Sequence, residues 1–162
     1  MLWGGACSAP YFFERKNKMI EQDTVKMLRE CDAGVTMGID SIDQVRDHVK
    51  SQKLKSYLVE CRREHDQLNS EIQSLLDEFG DDGKNPNPIA KGMSWVKTNV
   101  KLGLDDSDQT VADLMTDGCN MGVKSLNRYL NEYKAADERS KDITKRLIKL
   151  EENLATDIRG YL

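Results

Sequence analysis

The stretch Gly34-Val35-Thr36-Met37-Gly38-Ile39-Asp40-Ser41-Ile42 returns 84 residues later as Gly118-Cys119-Asn120-Met121-Gly122-Val123-Lys124-Ser125-Leu126. Both glycines, the methionine and the serine recur, aliphatic stands for aliphatic at two further positions, and each copy lies in the middle of a long helical pattern. Duplication of a helical hairpin yields four amphipathic helices, which bury their apolar stripes by packing as a bundle. The repeat therefore predicts an all-α chain with a four-helix core.

Outward from the first copy, Val25, Leu28, Cys31, Val35, Ile39, Ile42, Val45 and Val49 recur at steps of three or four, which predicts one buried helix face from about Gln22 to Val49. The polar break Lys50-Ser51-Gln52-Lys53 precedes Leu54, Leu58, Cys61, His65, Leu68, Ile72, Leu75 and Phe79, the stripe of a second helix. So short a break can only turn the second helix back along the first. Residues 22–79 thus read as one hairpin.

The breaker cluster Gly80-Asp81-Asp82-Gly83-Lys84-Asn85-Pro86-Asn87-Pro88 ends that hairpin, and Ile89, Met93, Val96 and Val100 then describe a short crossover helix over residues 88–102. A second hairpin follows over 107–161; Asp106, Ser107 and Asp108 can each cap its first helix, and Asp106 stands three residues before Gln109 in capping-box fashion. Its helices carry Val111, Leu114, Gly118, Gly122, Leu126, Tyr129 and Tyr133, then Ile143, Leu147, Leu150, Leu154, Ile158 and Tyr161. Nothing punctuates Ala135-Ala136-Asp137-Glu138-Arg139-Ser140, so the break there rests on symmetry with the first hairpin and on the apolar stripe that resumes at Ile143. Residues 1–18, rich in Gly and aromatics without helical period, read as an irregular tail, leaving 19–162 as the bundle. Each interior glycine costs a helix about 1 kcal/mol relative to alanine. Two per hairpin at i and i+4 predict a smooth stripe where a neighbour approaches closely.

With 162 residues the chain suits a single domain. A net charge of −4, with bases scattered among acids at helical spacing, argues against a nucleic-acid surface. No run approaches the roughly twenty apolar residues of a membrane helix, and no secretory signal is evident, so a cytoplasmic protein is expected. The cysteines at 7, 31, 61 and 119 form no CxxC and no zinc-ligand spacing with histidine, which fits free thiols in a reducing compartment. Only His48 and His65 are available for acid–base work, and neither completes a nucleophile–base pair.

Two long hairpins joined by a crossover, with the Met-Gly pattern repeated and a Gly92-Met93-Ser94-Trp95 element between them, resemble the ferritin-like superfamily, and within it a bacterial family of uncharacterised ferritin-like proteins. The resemblance covers roughly Val25 to Tyr161. It implies a ferritin-like four-helix bundle with an additional short crossover helix.

The superfamily's di-metal site takes a Glu from each of two helices and a Glu-x-x-His from each of the other two. At the first pair of positions this chain has Val35 and Cys119. The second helix offers Glu64 and Gln67, with His65 one position out of register, and the fourth offers Glu151 then Leu154, or Glu152 then Ala155. With most ligands replaced, no metal and no cofactor are expected. Residues to test for a variant set are His65, Glu64, Asp32, Asp117 and Glu151, with iron or manganese as the alternative. The expected role is accordingly a non-catalytic bundle that acts through self-association as a homodimer or through a protein partner, with no nucleic acid and no membrane. The alternative is a metal-binding oxidase or storage protein with a variant ligand set.

Overall fold

The computed structural model describes residues 9–84, 102–103 and 105–162. Four long helices carry the fold: α1 (Ala9–Val45), α2 (Gln52–Glu78), α3 (Asp108–Glu132) and α4 (Glu138–Ile158), with short 3-10 turns at Arg46–His48 and Arg159–Tyr161. Side chains cap three of the helix starts. Ser51 accepts from the amide of Leu54 at 3.3 Å, Ser107 from Thr110 at 3.1 Å and Asp137 from Ser140 at 2.8 Å. Of the three candidate caps of α3, Asp106, Ser107 and Asp108, it is Ser107 that caps the helix. α2 ends where Gly80 takes φ 63°, which lets the Asp81 amide reach back to the Leu76 carbonyl at 3.1 Å.

α1 begins thirteen residues earlier than its apolar period. Pro10 is tolerated in a first turn, and the Glu, Arg, Lys and Met that follow are good helix formers. Periodicity reports burial rather than helicity, and residues 10–19 are all exposed. The described part of the segment read as an irregular tail is thus helix, projecting about 20 Å beyond the bundle at 1.5 Å per residue. The crossover helix expected over 88–102, with Met93 and Trp95, falls outside the described residues apart from Leu102, which is helical and buried. Among the described residues no helix is long and apolar enough to cross a membrane.

Helix directions follow from the contacts between chains of turns. Asp137 at the start of α4 donates its amide to Thr24 of α1, and Cys31 meets Thr144, so α1 and α4 run parallel. Arg139 pairs with Glu78 and Arg146 with Glu71, so α2 and α4 run antiparallel. α1 with α2 and α3 with α4 form the two hairpins, and α1 also packs on α3. The order is up, down, down, up. Because α2 and α3 point the same way, the end of α2 and the start of α3 lie at opposite ends of the bundle, which is the arrangement a single crossover produces.

At the end where α2 and α3 both begin, Asp108 joins the hairpins. Its carboxylate accepts from the backbone amides of Lys50 at 2.7 Å and Ser51 at 2.9 Å, while Ser51 Oγ meets the Tyr161 hydroxyl at 3.0 Å. Between the ends the core is one cluster containing Met27, Leu28, Cys31, Val35, Ile42, Leu54, Leu58, Ile72, Leu76, Val111, Met115, Leu147 and Ile158. Met27, Leu76 and Met115 take inner positions where the sequence pattern favoured Val25, Leu75 and Leu114. For Leu76 and Met115 the choice between adjacent apolar residues is a rotation of about 100° around the helix, which the neighbouring helices decide.

Asp108→Ala leaves two backbone donors without their acceptor and is expected to cost about 1–2 kcal/mol in urea unfolding. Asp106→Ala, which removes the exposed ion pair with His48, is expected to cost less than about 0.5 kcal/mol in the same measurement.

Candidate functional site

Each hairpin brings one ionisable side chain to the bundle centre. His65 lies on the buried stripe of α2 between Cys61 and Leu68, and Glu151 on that of α4 between Leu147 and Leu154; they are 3% and 8% exposed. Both sit on glycines of the repeat. A Cβ on Gly38 would come within 2.6 Å of His65 Nε2 and 2.8 Å of Cδ2. One on Gly122 would come within 2.7 Å of Glu151 Cδ and closer still to Oε2. The missing side chains are the volume that the imidazole and the carboxyl occupy, and this close approach offsets the helix cost of the two glycines. Gly38 and Gly122 are counterparts in the repeat, so His65 and Glu151 take equivalent places in their two hairpins.

Gly34 and Gly118 behave differently. Nothing lies within 4 Å of a Cβ built on either, and Gly118 is exposed. The expected stripe of two close-packing glycines per hairpin is thus one glycine per hairpin, because a step of four residues rotates the position 40° around the helix, enough to leave a narrow seam.

His65 Nδ1 donates to the carbonyl of Cys61 at 2.8 Å and lies 3.5 Å from its sulfur. That bond orients the ring and, in the neutral imidazole, leaves Nε2 as the acceptor. Nε2 is buried, makes no hydrogen bond and faces Oε1 of Glu151 at 4.0 Å. The separation is an electrostatic contact, too long for a hydrogen bond. Burial pushes the Glu151 carboxyl above its ordinary 4.5, and the nearby His65 opposes this with a smaller effect. Burial likewise raises the thiols of the core: Cys119 to about 12 and Cys61 above its ordinary range beside the pair, and Cys31, which meets Thr144, to about 11. These thiols are protonated at neutral pH and are weak nucleophiles and weak metal ligands.

The other residues singled out for metal binding go elsewhere. Asp32 is buried at one end of the bundle, where its carboxylate accepts from Gln73 Nε2 at 2.7 Å and the Lys84 amide at 2.8 Å. It packs against Gly83, whose φ of 82° makes the turn that brings Lys84 into reach. Asp117 is exposed, and Glu64 is half-buried beside the inward-facing His65. Gln67 and Asn153 are exposed, and Leu68 and Leu154 take the inner positions one residue on.

His65 is therefore the inward residue of α2, and Glu64 the one out of register. Among the described residues no group of three or more His, Cys, Asp and Glu could hold a metal ion. A di-metal centre needs several carboxylates, and Val35, Cys119 and a single His–Glu pair do not fit it. Comparison of the chain with protein-family models, curated proteins and solved structures finds no match.

Alanine at the four repeat glycines is expected to split by position. Gly34→Ala and Gly118→Ala should stabilise by about 0.5–1 kcal/mol through helix propensity. Gly38→Ala should destabilise by about 1–3 kcal/mol because the imidazole must move, whereas Gly122→Ala should cost less, since a carboxyl can swing on its flexible stem. Thermal unfolding of the four variants checks this ordering. Cys31, Cys61 and Cys119 should also resist iodoacetamide in the native protein and react on unfolding, which peptide mass mapping would read.

Proposed function

We propose that this chain is a non-catalytic ferritin-like bundle that acts through association in a reducing, cytoplasmic compartment, with a homodimer as the expected assembly. The observation that carries the reading is the contrast between a closed centre and an unfinished surface. At the centre, Val35 and Cys119 pack at the positions where the ferritin-like arrangement takes carboxylates, and the His65–Glu151 pair fills the glycine notches. At the surface, the first turns of α1 leave Tyr11, Phe12, Phe13 and Met19 more than half exposed. Phe13, Ile20 and Met27 recur at steps of seven along α1, passing from exposed through half-buried to fully buried. The core stripe thus runs on past the helices that cover it, and apolar surface of this kind is what a partner helix covers. The up, down, down, up order supports the ferritin-like assignment.

Analytical ultracentrifugation tests the association. A dimer that shifts toward monomer in a Phe12→Ser/Phe13→Ser variant with unchanged circular dichroism is the expected result. A wild-type monomer at high concentration, with no specific partner recovered by cross-linking in cell extract, would overturn it. Elemental analysis of protein purified without chelators should give less than about 0.1 equivalent of iron, manganese or zinc. Stoichiometric iron or manganese would instead favour a metal-binding oxidase or storage role.

A further inference from the structure

The His65–Glu151 pair has a consequence separate from association. Two buried ionisable groups face each other across the seam between the hairpins, one from α2 and one from α4, each seated on a repeat glycine of the helix beside it. Nδ1 of His65 is committed to the Cys61 carbonyl, so the ring nitrogen left to face Glu151 is Nε2, which is buried and without a hydrogen bond. A neutral ring offers a lone pair there. A carboxylate opposite it would set lone pairs against a lone pair in a site closed to water, whereas a carboxylic acid would supply the missing donor.

The surroundings favour the neutral acid. From α2 the other ionisable neighbours are Cys61 and Glu64, and α3 presents Cys119, while Asp157 of α4 bears on Cys61. All of these are acids, and none supplies a positive charge to hold Glu151 ionised. α1 faces the pair with Gly38, flanked along its buried stripe by Val35 and Ile42.

We propose that Glu151 is held as the neutral acid and donates its proton to Nε2 of His65, latching the two hairpins together with a hydrogen bond that exists only while that proton is bound. Rotation of the Glu151 carboxyl closes the remaining ångström. Loss of the proton puts a buried carboxylate against the imidazole lone pair and loosens the α2–α4 seam, so the bundle centre responds to pH.

The sign follows from proton linkage. A carboxyl that holds its proton more tightly when folded adds stability that is complete below its unfolded value of 4.5. That stability declines as pH rises, until folded Glu151 itself ionises.

Glu151→Gln tests the latch, because an amide keeps the shape and offers Nε2 an N–H that does not titrate. The folding equilibrium constant of the variant relative to wild type should rise with pH above 4.5, by up to tenfold per unit, and then level off. Nitrogen NMR of wild-type protein labelled at histidine should show His65 as the neutral Nδ1–H tautomer at about pH 7, a measurement that needs no variant to fold. An imidazolium at that pH, or a Glu151→Gln variant tenfold or more less stable than wild type throughout about pH 5–8, would identify an ion pair and overturn the proposal. The dimer measurement does not bear on these outcomes, so the two readings fail separately.

Discussion

The imidazole of His65 and the carboxyl of Glu151 occupy the volumes that Gly38 and Gly122 leave open, and this fit sets the centre of the bundle. Helices normally pack with their axes 8–10 Å apart because side chains on both sides need room. A missing Cβ lets one large polar side chain lie against the neighbouring backbone without pushing the helices apart. The layer that results is buried, and its polar groups are the imidazole and the carboxyl with the thiols of Cys61 and Cys119 beside them. Its chemistry follows from that burial: thiols that keep their protons and a carboxyl pushed toward its neutral form.

The second constraint is direction. Helices α2 and α3 run the same way, so the two hairpins cannot be joined by a tight turn, and they meet instead through side chains that bind backbone. Asp108 holds the amides that lead into α2, and Thr24 accepts from the amide that leads into α4. These bonds lie at opposite ends of the bundle and fix the sliding of one hairpin against the other. With that register fixed, the two repeat glycines, and hence His65 and Glu151, arrive at one level.

Much of this was legible in the residues. The repeat, the four stripes, the breaker cluster after Phe79 and the turn at Ser51 mark the helices and their pairing. The break between α3 and α4, unmarked by Gly or Pro, was recoverable from symmetry with the first hairpin and from the apolar stripe that resumes at Ile143, and Asp137 caps the helix that follows it. Folding the first hairpin about Ser51 already sets Gly38 beside His65, so the seat of the imidazole could be read from spacing. The pairing of His65 with Glu151 could not, because they belong to different hairpins. Nor could the fate of Asp32, whose partners Gln73 and Lys84 lie on α2 and in the turn after it.

The sequence by itself determined the class of fold and the number of long helices, because apolar periodicity, caps and breakers act over a few residues and are visible in order along the chain. Only the tertiary structure decided which of two adjacent apolar residues faces inward: Leu76 rather than Leu75, Met115 rather than Leu114. It alone decided which repeat glycine is used and that a histidine and a glutamate meet across the seam. The reason is geometric. A rotation of 100° about a helix costs the local sequence nothing, and it is settled only when three other helices close around it.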